Sequence, residues 1–142
     1  MWVRFMYKKS VHVLLLQKAD YISKREIIEG ILYDLKKTGM EASVISSDGL
    51  LICSTISGKQ NVEVFASMCA TMINAANIVS KELGANALQN KIIVKTTNGA
   101  IIGTGAGPNA ILVVTVRQDK GFEMLFPDIT QASDKIWHVL AR

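Results

Sequence analysis

The chain predicts an α+β domain with the element order α-β-β-α-β-β-β-α, and three observations carry that prediction. Two β-rich runs meet at Asp48-Gly49 and two more at Asn98-Gly99, both strong signals for tight hairpins. Between the hairpins lies a helical stretch, Val64 through Ser80, that holds no charged residue. Caps and apolar periodicity place one further helix near each end.

The first helix is expected to begin at Ser23. Ser23-Lys24-Arg25-Glu26 has the spacing of a capping box, and Ile22 and Ile27 are placed as its hydrophobic staple. Ile27, Ile28, Ile31, Leu32 and Leu35 form the inner stripe, with Gly39 beyond the end as a C-terminal cap. Residues 42–47 and 50–55 are the first two strands. The uncharged helix follows, from about Asn61 to Gly84. Residues 91–97, 100–104 and 110–117 are three more strands, the last two joined by a looser turn at 105–109. A final helix is expected from Asp128, capped with Gln131, with Ile129, Ala132, Ile136, Val139 and Leu140 on its apolar face. Residues 122–126 read either as a strand or as a first helical turn, because Pro127 interrupts a continuous helix.

The uncharged helix is the most informative element. A surface helix of a monomer carries one apolar stripe and a charged back. Here Phe65, Met68, Cys69, Met72, Ala76, Val79 and Leu83 read as the usual apolar stripe, packed on the sheet. Ala66, Ala70, Ile73, Asn74, Asn77 and Ile78 form a small, neutral back, suited to close approach by a second subunit. The paired Asn residues argue against a transmembrane span.

Composition sets further bounds. At 142 residues and 49% hydrophobic, the chain has material for one core without metals or staples. Charged residues make up only 20%, which suggests a covered surface. Of the net charge of +4, three units come from Arg4, Lys8, Lys9 and Lys18 against Asp20. The remainder is nearly neutral, so no basic face for nucleic acid is expected. Cys53 and Cys69 fall in apolar runs without a CxxC, and read as reduced, structural thiols. Residues 1–21 mimic a signal peptide but lack a small-residue cleavage site after the short apolar segment. They are expected to form a basic and apolar appendage packed on the protein, with membrane-surface contact the lesser reading. Residues 22–142 then form the domain.

No motif supports catalysis. The run Gly103-Thr104-Gly105-Ala106-Gly107 leads through Pro108 into a strand and not into a helix, and no phosphate-binding Lys follows. Turn glycines account for it. Ser57-Gly58-Lys59 is a loop without the rest of such a motif. His12 and His138 have no ligand-type partner at metal spacing, and Glu26, Glu29 and Asp34 lie on a solvated helix face, with Arg25–Glu29 as an ion pair. No catalytic residue, cofactor site or metal site is assigned.

With this order in place, the sequence resembles the Roadblock / dynein light-chain domain family, which includes bacterial polarity regulators of the MglB type. The carriers are Val44-Ile45-Ser46-Ser47-Asp48-Gly49-Leu50-Leu51-Ile52, the uncharged helix ending Glu82-Leu83-Gly84, Ile92-Ile93-Val94 before Asn98-Gly99, and Ala110-Ile111-Leu112-Val113-Val114. The likeness spans roughly 23–140. It implies a profilin-like architecture: a five-stranded antiparallel sheet with the middle helix on one face and the terminal helices on the other. It also implies dimers joined through the middle helices and edge strands, which assigns Ala66, Ala70, Ile73, Asn74, Asn77, Ile92 and Val94 to the interface. Members are non-enzymatic adaptors and regulators of small Ras-like GTPases, so a homodimeric, cytoplasmic regulator or scaffold is expected. A small-ligand sensor or an adaptor subunit of a larger complex is the alternative.

Overall fold

Alternation along the strands divides the molecule into two apolar layers, one on each face of a single sheet. The computed structural model describes residues 2–58, 61–84, 91–117 and 121–142, and the side chains of all of these except 2–10 and 122. Lys59 of the Ser57-Gly58-Lys59 loop therefore lies outside the described residues, as do the side chains of Arg4, Lys8 and Lys9.

The elements are α1 (Trp2–Lys37), β1 (Met40–Ser46), β2 (Leu51–Ser54), α2 (Val62–Glu82), β3 (Lys91–Thr96), β4 (Gly99–Gly105), β5 (Ala110–Val116) and α3 (Phe126–Leu140). The strands form one antiparallel sheet in the order β2-β1-β5-β4-β3, which leaves β2 and β3 as its edges. The α+β class and the element order are as the sequence predicts.

Even-numbered residues of β1, β4 and β5 (Met40, Ala42, Val44, Ala100, Ile102, Leu112, Val114) face α1 and α3, whose Ile28, Leu32, Leu35, Ile129, Ala132, Ile136 and Val139 complete the larger cluster. Odd-numbered Ile45, Ile111 and Val113 face the other way and meet α2. The period of two is what sorts the residues, since successive strand side chains point to opposite faces. A register shift between Val44 and Ile45 accommodates one extra residue of β2, which lets Ile52 and Cys53 both join the larger cluster.

Several boundaries differ from the sequence reading. Ser23 does not start a helix: α1 is continuous from Trp2 to Lys37, and Ser23 sits in its interior. The 21/22 boundary is thus not marked by any helix end. The anticipated Arg25–Glu29 pair is present at 3.3 Å. In the β3–β4 hairpin Thr96 pairs with Gly99, so the two loop residues are Thr97 and Asn98. Gly99 is a strand residue without positive φ; a Cβ there would overlap the Val116 carbonyl of β5. Pro127 breaks nothing, because it occupies the first turn of α3, where its missing N–H has no intrahelical partner to lose. Phe122–Leu125 form a 3-10 turn leading into that helix, and Asp128 lies inside it rather than at its cap.

Candidate interaction surface on the middle helix

Asn61 starts α2 by accepting from the amides of Glu63 (3.1 Å) and Val64 (3.3 Å), two donors that a helix start leaves unpaired. Gly84, at φ 78°, stands just past its end. Between these caps the helix buries a narrow stripe: Ala66, Cys69, Ala70 and Ile73. Small residues hold the helix axis close to the sheet. The closest approach is at Gly103 of β4, where an added Cβ would lie 2.5 Å from Cδ1 of Ile73. Gly103 and Gly105 are therefore strand residues, and the turn is confined to the positions after them. Asn74 donates from Nδ2 to the Ser47 carbonyl at 3.1 Å, tying the helix to the β1–β2 turn.

These contacts turn α2 from its expected orientation. Ala66, Ala70 and Ile73, expected on a subunit joint, are at most 3% exposed and belong to the chain's own core. Of the residues expected on the sheet, Cys69 is buried and Phe65 packs against the smaller cluster, whereas Met68 (68% exposed), Val79 and Leu83 point to solvent. The physical reason is that a helix lying close on a sheet buries small residues along its line of contact. Asn74 is exposed and Asn77 half-buried. Ile92 and Val94 lie on the α2 face of edge strand β3, both half-buried, with Ile92 packed against the smaller cluster.

The outer face reads Val64, Met68, Thr71, Ala75 and Ile78, with Val79 beside it; all are exposed. The intervals of four and three are those of a helix-to-helix seam. That spacing is legible in the sequence. No charge falls between Glu63 and Lys81, so the seam is neutral and largely apolar. By length and composition α2 is also apolar enough to cross a membrane, although its inner stripe is packed on the sheet.

Other features offer little chemistry. Among the described residues no group of three His, Cys, Asp or Glu is placed to hold a metal. Burial pushes the Cys53 thiol up to about 12 and raises that of Cys69, so both behave as apolar core residues. A cleft of about 150 Å³ beside the start of α2 is lined by Glu41, Ile56, Ser57, Val62, Phe65, Thr115 and Arg117. In it the Ser57 amide and hydroxyl donate to Glu41 Oε2 at 2.6 and 3.1 Å. The Ser57 amide, more than any other group, holds the Glu41 carboxyl below its ordinary range, with Arg117 and Lys36 adding to it.

Comparison with known proteins fixes the family. Residues 39–115, more than half of the chain, match the Roadblock/LC7 domain. The chain belongs to the Roadblock/LC7 family. The matched span begins just before β1 and ends in β5, and so contains the sheet and α2. Two uncharacterized proteins of Methanocaldococcus jannaschii are each 30% identical to this Roadblock chain over 112 residues. The alignments cover 78% of it and 93% and 96% of the two relatives. Among solved structures, an MglB with a tetrameric arrangement superposes with a TM-score of 0.73 at 17% identity, covering 82% of this chain and 89% of that one. The gliding protein MglB of Thermus thermophilus gives 0.72 at 18% identity, covering 82% and 90%. At such identities the shared property is the Roadblock fold.

Proposed function

We propose that this Roadblock protein is a non-enzymatic, cytoplasmic regulator or scaffold for a small Ras-like GTPase, and that it works as a homodimer joined through α2 and β3. The observation that carries this reading is the outer face of α2. A neutral seam of Val64, Met68, Thr71, Ala75 and Ile78, exposed in one chain, is the kind of surface that marks a protein interface. Among the described residues strand β3 is an edge of the sheet, and a sheet edge can continue its ladder into a second sheet. The dimer contact proposed here is accordingly Val64, Met68, Ala75 and Ile78 with Asn74, Asn77, Ile92 and Val94 at its margin. Ala66, Ala70 and Ile73 support it from beneath.

Family membership and the MglB-like fold support the regulatory part of the reading. A Ras-like GTPase incubated with the purified chain in its GTP-analogue and GDP states tests it. Retention that depends on the nucleotide is expected. Equal retention in both states would favour an adaptor subunit, and none in either would remove the GTPase from the account.

A further inference from the structure

The first half of α1 carries large apolar residues that nothing in the described chain covers. The helix has 36 residues, yet its first buried position among the described side chains is Ile28. From Val11 to Ile27 every residue is exposed except Lys24, which is half-buried. At 1.5 Å per residue that stretch is about 25 Å long. Residues 11–21 of the expected appendage are thus helical and exposed rather than packed on the domain. Leu14, Leu15 and Leu16 are 63%, 61% and 58% exposed. Neighbouring helix positions point about 100° apart, so these three cover most of the circumference and no single protein groove can take them all. Val11, Val13, Tyr21 and Ile22 are exposed beside them.

Charge selects the occupant. Arg4, Lys8, Lys9 and Lys18 against Asp20 give this end three of the chain's four net positive charges. We infer that residues 11–22 of α1, with the basic residues before them, dock on an anionic lipid surface. Apolar side chains enter the headgroup boundary while the lysines meet anionic headgroups. A fluid interface, unlike a groove, moulds itself around an apolar segment on several sides. The segment is too short and too charged to span a bilayer, whose core needs about 20 apolar residues. This contact is independent of the α2 seam and of any GTPase.

Cosedimentation of the full chain with phosphatidylcholine vesicles, with and without phosphatidylserine, tests it. Binding is expected to the phosphatidylserine vesicles and to weaken with added salt. Leu14→Gln combined with Leu15→Gln should lower it about a hundredfold and leave the melting temperature unchanged, since both residues lie outside the two cores. Tyr33→Gln, exposed on the same helix within the domain, and Met124→Gln, exposed just before α3, should not change it. Absence of binding to either vesicle, equal binding to both, or loss in Met124→Gln would overturn the proposal. So would a fall in oligomer mass of the double leucine variant without any vesicle binding, which would make a second copy the occupant.

Discussion

The two faces of the sheet are closed to different degrees. On one, α1 and α3 cover the even-numbered strand residues, and large side chains such as Ile28, Leu32, Ile129 and Ile136 are fully buried among them. On the other, α2 covers Ile45, Ile111 and Val113 with Ala66, Cys69, Ala70 and Ile73, and Phe65 packs beside them partly buried. The larger face is a finished core. On the second face Val64, Met68 and Ile78 of α2 are exposed. Hydrophobic burial, roughly 25 cal/mol per Å², therefore stabilises the first face within one chain, and the proposed second subunit would add to it on the other.

The largest expected effect comes from putting a charge between α2 and the sheet. Ala70→Glu would bury a carboxylate without a partner, at a cost on the order of several kcal/mol or a forced protonation. Thermal denaturation should show a protein that is largely unfolded or strongly destabilised. If Ala70→Glu instead keeps the wild-type melting temperature, the inner stripe has been assigned to the wrong side of the helix.

Next comes the close approach on the same face. Gly103→Val adds a side chain whose Cβ would meet Ile73, and overpacking of this kind costs about 1–3 kcal/mol. Adding the substitution Ile73→Ala should recover part of the loss in denaturant titrations, because the clash and the cavity offset each other. Strict additivity of the two changes would show that Gly103 and Ile73 do not meet.

A smaller effect is expected at the rim of the α2 face. The Glu41 carboxyl is held below its ordinary range chiefly by the Ser57 amide. A group with a depressed folded pKa contributes stability that is present above its unfolded value and is lost as pH falls through the folded one. The melting temperature of the wild type should thus exceed that of Glu41→Gln near neutral pH, and the gap should close below about pH 4, under the ordinary Glu range. A gap that widens with acid would reverse the sign.

The smallest is Ser23→Ala. As an N-cap, Ser23 would be worth about 0.5–2 kcal/mol. Inside a continuous helix the change should stay within about ±0.5 kcal/mol, or stabilise slightly, because Ala is the better helix former. A loss of a full kcal/mol in urea titration would restore the helix start at Ser23.

Most of the fold was legible because it rests on period and punctuation. The apolar, β-branched run 110–117 places β5, Asn61 and Gly84 bracket α2, and Asp48-Gly49 locates the first hairpin. What escaped was of two kinds. Gly99 and Gly103 are glycines for the sake of neighbouring chain segments, Val116 and Ile73, that only the folded topology brings close. The facing of α2 escaped because an uncharged helix offers no polar face to set its rotation. The heptad-like run 64, 68, 71, 75, 78 was in view, but the size of the side chains pointed the other way. Of the expected contact, Asn74 is exposed and Asn77, Ile92 and Val94 are half-buried. The capping box at Ser23 failed for a local reason: the residues before it are themselves good enough helix formers to carry the helix through.

The outer face of α2 can be tested without disturbing the inner one. Ala75 lies at the centre of the exposed seam, opposite the buried stripe, and a two-fold joint would bring the change in twice. Light scattering of the wild type should give twice the 15.5 kDa chain mass. Ala75→Glu should give a single chain mass with an unchanged far-ultraviolet circular dichroism spectrum. A wild type that is monomeric, or an Ala75→Glu variant that keeps the doubled mass, would contradict the claim that α2 is the subunit joint.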